Sequence, residues 1–306
     1  MDLGVKHFYE YQGILHNILL EQRLVRPGML LVGADSHTVT AGAAGAFAAP
    51  IGSNELATVM VSGEVWLRVP ETVCIRLNGA LPRGVMARDV VFHILGQFRN
   101  DFALYKAVEF AGSALQQFSL DERATLANAG IEMGAKNAIV PADEAVWQLY
   151  ELTPDPWLAH DPEAEFEQVH EMDLSTLEPQ VAAPHQVDNV VALCDIESTP
   201  ITVAHIGSCV GAKLEDLRAA AQVVAGRTVK VPFIVTPATR RTYDAALADG
   251  TLATLAAAGA VIQAPGCGPC AGVHMGILGP GERAIASVTR NFRGRMGSSD
   301  AEIYLG

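Results

Sequence analysis

The chain has 306 residues, half of them hydrophobic and 18% charged, with a formal net charge of −13. That length accommodates about two domains, or three small ones, with buried cores, and the composition is globular rather than disordered. The acidic balance leaves no basic stripe for nucleic acid or an anionic membrane, and neither an 18-residue apolar run nor a basic-then-apolar leader occurs, so the expectation is a soluble, cytoplasmic protein.

In chain order the pattern is strand, glycine-rich turn, helix, repeated. "PGMLLVGADSHT" predicts a buried strand over 29–32 running into a polar turn, and "SNELATVMVSGEVWL" the helix after it, with Ser53 as N-cap. "ETVCIRLNGALPRG" predicts another strand and turn that open a new unit. In "SLDERATLANAGIEMGA", Ser119 and Glu122 make a capping box before a helix. Residues 151–187 are acidic, proline-bearing and aperiodic, and read as a linker. Beyond it, "NVVALCD", "ITVAHIGS", "VKVPFIVTP" and "AVIQAPG" predict strands. "ATRRTYDAALADG" and "AKLEDLRAAAQVVAG" predict helices, the latter with Leu214, Leu217, Ala221 and Val224 on one face. Such alternation predicts an α/β architecture with largely parallel sheets. The expected domains are 1–70, a partial first one, then 71–150 and, past the linker, 188–306. Ligands of such sheets sit beyond the carboxyl ends of strands. Asp35-Ser36-His37, Cys209 and Cys267 all fall just past predicted strand ends. No Walker A or G-x-G-x-x-G sequence supports nucleotide binding.

Five cysteines are too few and too odd in number for a disulfide framework, so reduced thiols are the default. Cys74 and Cys194, inside predicted apolar strands, read as core residues. Cys267-Gly268-Pro269-Cys270 fits a redox dithiol, half a zinc site or two ligands of something else. A redox pair opens a helix that lowers its thiol pKa, whereas "AGVHMGILGPGE" follows here, glycine-rich and poor as a helix. Structural zinc needs four ligands; Cys209 could join the pair, with His205 or His274 as the fourth, but Cys209 belongs to no second Cys-x-x-Cys. Cys209 does occupy a glycine-flanked turn between strand and helix, the same kind of place as Cys267. Three thiolates from strand-end turns suit an iron–sulfur cube better than zinc, with one iron left lacking a protein ligand and open to a substrate oxygen.

"GADSHTVTAGAAGAFAAPIGSNE", "IGSCVGAKLED", "PGCGPCAG" and "TRNFRGRMGSSDAEIYL", in that order, resemble the aconitase family of cluster-dependent hydro-lyases, and within it 3-isopropylmalate dehydratase and homoaconitase large subunits. The resemblance runs almost end to end. It implies a multi-domain α/β/α fold, with mostly parallel sheets around a [4Fe–4S] cluster held by Cys209, Cys267 and Cys270. It also implies that His37, beside Asp35, protonates a departing hydroxyl, that Ser36 helps bind substrate, and that His16 joins the active site. Asp35-Ser36-His37 taken alone reads as an ordinary polar turn. Asn128 and Glu132, four apart on one predicted helix, share a face; the resemblance puts Asn128 near substrate or cluster and pairs Glu132 with an active-site histidine. Arg290 and Arg295 offer the planar, bidentate cations a polycarboxylate needs, and the resemblance assigns them that role.

The implied activity is reversible dehydration of a hydroxy di- or tricarboxylic acid, 3-isopropylmalate-like. The implied partner is a small swivel-domain subunit carrying a proton-abstracting serine and another substrate arginine. Against the family pattern the chain is expected to be truncated at both ends, and the alternative is a catalytically incomplete member acting as a cluster-binding or non-catalytic module. Three departures stand out: "SCVGAK" replaces "SCTNGR", changing Val210, Gly211 and Lys213; Thr289 precedes Arg290 in place of asparagine; and Thr40 follows the isopropylmalate branch.

Overall fold

The computed structural model describes residues 4–158, 161, 163–196, 198–272 and 275–306. It divides into two compact units: Leu19–Ala182 with Val187–Ile196, and Met1–Ile18 with Ala183–Gln186 and Glu197–Gly306. Helix α1 (Leu15–Glu21) spans the boundary. The boundary expected near residue 70 falls inside the first of these units.

In that unit β1 (Leu30–Gly33) and β2 (Phe47–Pro50) pair in parallel. The small-residue run between them, Ser36–Ala44, winds as a 3-10 helix, started by Asp35 and stopped by Gly45 in the left-handed region at φ 75°. Helix α2 (Ser53–Ser62) starts one residue earlier than the sequence suggested. Gly52 is its N-cap, and the Glu55 carboxylate closes back on the Gly52 N–H at 2.8 Å. None of its ten residues is buried. Next come β3 (Thr72–Asn78), α3 (Ala87–Phe98), β4 (Ala107–Ala111), α4 (Leu120–Asn128), β5 (Asn137–Ile139), α5 (Glu144–Tyr150) and β6 (Gln168–Asp173). The strands form one parallel sheet in the order β5-β4-β3-β6. Strand β6 lies within the stretch expected as a linker. It is a polar edge strand with only Met172 buried, so it carries no apolar alternation to betray it. β7 (Gln180–Ala182) and β8 (Val190–Ala192) pair antiparallel.

Small residues set how closely this unit packs. Ala41, Ala43, Ala44, Ala46, Ala48, Ala124 and Ala127 form a core with Leu20, Val25, Val146 and Tyr150. At Gly42 the 3-10 helix passes so near β5 that a Cβ would lie 1.8 Å from the Ala138 carbonyl oxygen, and the Val140 N–H donates to the Gly42 carbonyl. The capping box of α4 forms as predicted: Ser119 N–H donates to Glu122 at 2.9 Å, and Ser119 Oγ accepts from Glu122 N–H at 3.3 Å.

The other unit contains β9 (Val203–Ile206), the helical turn α6 (Ser208–Gly211), α7 (Leu214–Val224), β10 (Phe233–Val235), α8 (Arg240–Ala248), α9 (Thr251–Ala257), β11 (Val261–Ile262), β12 (Arg283–Ala286) and β13 (Glu302–Leu305). Five strands run parallel in the order β11-β10-β9-β12-β13. Helix α7 buries Leu217 and Ala221 of its predicted face against Phe233, Val235, Leu252 and Leu255. The fold is thus α/β with mostly parallel sheets, each buried where helices cover it. Among the described residues no helix is long and apolar enough to cross a membrane.

Candidate functional site

The predicted site residues divide between the two units. Asp35, Ser36, His37, Asn128 and Glu132 belong to the first; His16, Cys209, Cys267, Cys270, Arg290 and Arg295 belong to the second.

His37 is buried just past the carboxyl end of β1, in the first turn of the 3-10 helix. Its Nε2 lies 3.3 Å from Glu132 Oε1, and its Nδ1 lies 3.2 Å from the Ser36 hydroxyl. Asp35 accepts the His37 backbone N–H at 2.8 Å and stands 3.9 Å from the ring, so it shapes the turn while Glu132 faces the imidazole. Asn128 and Glu132 do not share one α-helix. Helix α4 ends at Asn128, and a 3-10 turn over Ala129–Ile131 delivers Glu132. Asn128 Nδ2 donates to Thr40 Oγ1 at 2.8 Å, and Thr40 donates in turn to the His37 carbonyl at 2.6 Å. All four of His37, Thr40, Asn128 and Glu132 are buried, forming one hydrogen-bonded polar group inside an alanine-rich core. Such a group holds an imidazole in one orientation between a carboxylate and a hydroxyl, an arrangement suited to passing a proton.

In the second unit Cys209 is buried in α6, just beyond β9, and clusters with Ile14, Val210 and Ala238. Its carbonyl accepts from Asn17 Nδ2 at 3.1 Å, next to the buried His16 of α1. Ser287, at the end of β12, clamps this turn. Gly207 N–H donates to Ser287 Oγ at 3.0 Å, the Ser287 hydroxyl reaches the Gly211 carbonyl at 3.0 Å, and Ser208 Oγ donates to the Ser287 carbonyl at 3.3 Å. Ser208 sits at φ 75°, a left-handed conformation that costs a non-glycine residue about 1–2 kcal/mol. The buried Lys213 ammonium donates to the Val210 carbonyl at 3.2 Å and closes the turn from the other side.

Cys267 is exposed and caps a 3-10 turn over Gly268–Ala271 beyond β11, and Cys270 is buried within that turn. Arg295 Nη2 lies 3.8 Å from Cys270 Sγ, and Thr289 Oγ1 lies 4.0 Å from the same sulfur. Arg290 follows Thr289 on the same loop, partly exposed. The donor set fits an iron–sulfur cluster in kind: three soft ligands on strand-end turns of one parallel sheet, with a guanidinium beside one sulfur. Among the described residues no three His, Cys, Asp or Glu side chains gather as the ligands of a single metal ion would. His205, named above as a possible fourth zinc ligand, is buried with Nε2 3.2 Å from Thr236 Oγ1. Burial lowers that imidazole to about 4, well under its ordinary value. His274 lies outside the described residues.

Cys194 departs from expectation. β8 stops at Ala192, and Cys194 sits exposed in a 3-10 turn over Leu193–Asp195, its thiol 3.1 Å from Glu178 and pushed up to about 11 by that carboxylate. Cys74 is buried in β3. Sequence reasoning overlooked Ser287 and Thr236. Neither carries a motif, and only the register of the sheet brings them to the cysteine turns.

Residues 1–200 and 194–306 match the model of the Aconitase family (aconitate hydratase). The 3-isopropylmalate dehydratase large subunit 1 of Methanopyrus kandleri is 46% identical over 99% of this chain and 74% of its own length. That of Moorella thermoacetica is 45% identical over 99% and 73%, and the homoaconitase large subunit of Thermus thermophilus is 43% identical over 99% and 72%. Among solved structures, holo-form aconitase X of Thermococcus kodakaraensis shares the fold, with a TM-score of 0.52 at 13% identity over 89% of this chain and 64% of that one. With the family model matched from end to end and relatives at 43–46% identity over nearly its full length, this chain belongs to the aconitase family.

Proposed function

We propose that this chain is the large subunit of a [4Fe–4S]-dependent hydro-lyase that reversibly dehydrates a hydroxy di- or tricarboxylic acid of the 3-isopropylmalate kind. One observation carries the reading: Cys209 and the Cys267–Cys270 pair occupy turns beyond β9 and β11 of one parallel sheet, with Arg295 against Cys270, in a chain whose relatives are dehydratase and homoaconitase large subunits. A cluster held by Cys209, Cys267 and Cys270 would supply Lewis acidity at an iron without a protein ligand.

The chain's own residues do the rest. Glu132 holds His37 Nε2, so a proton delivered by the ring leaves from Nδ1, on the side of the Ser36 hydroxyl, toward the departing hydroxyl of the substrate. Thr40 and Asn128 fix the backbone of that histidine, while Asp35 starts the turn that presents it. Arg290 and Arg295 pair with substrate carboxylates, and Ser36 and His16 line the substrate site. The base that takes the carbon-bound proton comes from a separate small subunit, in keeping with the "large subunit" names of the relatives.

Anaerobic reconstitution with iron and sulfide, followed by counting of both and EPR after mild oxidation, tests the reading. About four irons and four sulfides per chain, converting to a three-iron signal, are expected, followed by turnover of 3-isopropylmalate or homoaconitate once a small subunit is added. Zinc bound without sulfide would refute it.

A further inference from the structure

His205 stands in β9 and Thr236 directly follows the neighbouring parallel strand β10, with Ile234 opposite His205 in the register. Thr236 gives its hydroxyl proton to Gln263 Oε1 at 2.7 Å. Its oxygen is therefore left to accept from His205 Nε2–H, 3.2 Å away. Both side chains are wholly buried, so this polar pair has a fixed size and no water to exchange with.

The pair touches both cysteine turns. A Cβ on Gly207, two residues before Cys209, would lie 2.2 Å from His205 Cε1 and 2.4 Å from Nε2. A Cβ on Gly268, between Cys267 and Cys270, would lie 2.6 Å from Thr236 Oγ1. The backbone of each turn thus rests directly on one member of the pair, and glycine is required at both seats. Gly268 also adopts φ 52°, in the left-handed region.

We propose that His205 and Thr236 are positioning residues: their hydrogen-bonded pair sets the separation between the Cys209 turn and the Cys267–Cys270 turn, and with it the spacing at which three thiols meet an iron–sulfur cluster. The inference rests on the hydro-lyase reading above. It assigns no chemistry to either residue; both act through the backbone of the thiol-bearing turns. Ser287 clamps one turn alone, whereas this pair is shared by the two.

The test uses the full chain, loaded anaerobically with iron and sulfide, with both counted. Iron loss to a chelator is then timed, and far-UV circular dichroism is recorded on each apo protein. Thr236→Val keeps the shape and removes the hydroxyl; His205→Phe removes the same bond from the other side; Thr236→Ser keeps it. Supporting groups of this kind change metal affinity by about 10-fold or more, so T236V and H205F should lose iron about 10-fold faster than wild type, with unchanged dichroism. Thr236→Ser should hold iron like wild type. If T236V does not fold, H205F carries the comparison. Wild-type rates of iron loss in the folded variants, or a T236S protein as leaky as T236V, overturn the proposal and leave the hydro-lyase reading standing. A wild-type chain that takes up neither iron nor sulfide overturns both.

Discussion

His205 makes the apo protein acid-sensitive in a calculable way. Its ring is neutral in the folded chain down to about pH 4, because burial penalises the charged form, whereas the unfolded chain binds a proton at the ordinary value of 6.5. Below 6.5 the unfolded state therefore holds more protons than the folded one. Stability is whole above that pH, declines as pH falls, and levels off once the folded ring also titrates near 4. Each pH unit of difference is worth about 1.4 kcal/mol, so an interval of about 2.5 units corresponds to about 3 kcal/mol. Urea unfolding of the apo chain at several pH values between about 7.5 and about 4.5, for wild type and His205→Phe, isolates this contribution. The other acid-titrating groups are common to both proteins and cancel in the difference. The wild-type advantage should shrink by about 2–3 kcal/mol across that range. Parallel pH profiles would refute the argument, because they would mean that His205 ionises in the folded chain as readily as in water.

Gly42→Ala would drive a methyl group into the Ala138 carbonyl, a backbone atom that cannot swing aside; a loss of about 3 kcal/mol is expected from the urea midpoint, and a loss under about 1 kcal/mol would mean the 3-10 helix can back away from β5. Glu132→Gln keeps the shape of the partner of His37 but removes its charge. In the cluster-loaded enzyme with its small subunit, kcat should fall about 100-fold or more while the melting temperature barely moves, and an unchanged kcat would take Glu132 out of the proton path. Arg123 is buried and donates to the Leu115 and Phe118 carbonyls and to Asp143. Arg123→Met should cost about 3 kcal/mol by chemical denaturation, and no loss would mean that solvent rather than Arg123 satisfies those carbonyls.

The sequence disclosed most where one local rule decided the outcome. The α4 capping box needs only Ser119 and Glu122 three residues apart, and α7 announces itself through Leu217 and Ala221 on one face. Strand β6 stayed hidden because an edge strand can be polar on nearly every residue; what recruits it is its backbone pairing with β3, a long-range contact invisible in its composition. Gly52 displaced Ser53 as N-cap because Glu55 can close on a bare backbone N–H without any side-chain oxygen from the cap. At the site, the cysteine spacings were plain, being local. Glu132 and His37 meet across 95 positions, and His205 meets Thr236 through strand register, so their geometry had to come from the fold. Cys194 misled because the apolar run continues through Leu193 and Cys194 while the backbone leaves β8 at Ala192 for a 3-10 turn.

Helix α2 has one more consequence. Its ten residues bury nothing, so it keeps its shape through the Glu55 closure at one end and Gly63, at φ 73°, at the other. A helix that short is marginal in water on its own, because nucleation costs more than a few backbone bonds return. Little tertiary energy is lost when it melts, so its amides can open and close without disturbing the alanine core, to which it contributes no residue. It is a low-threshold element in a rigid unit: in hydrogen exchange α2 should go dark first, long before the 3-10 helix that carries His37.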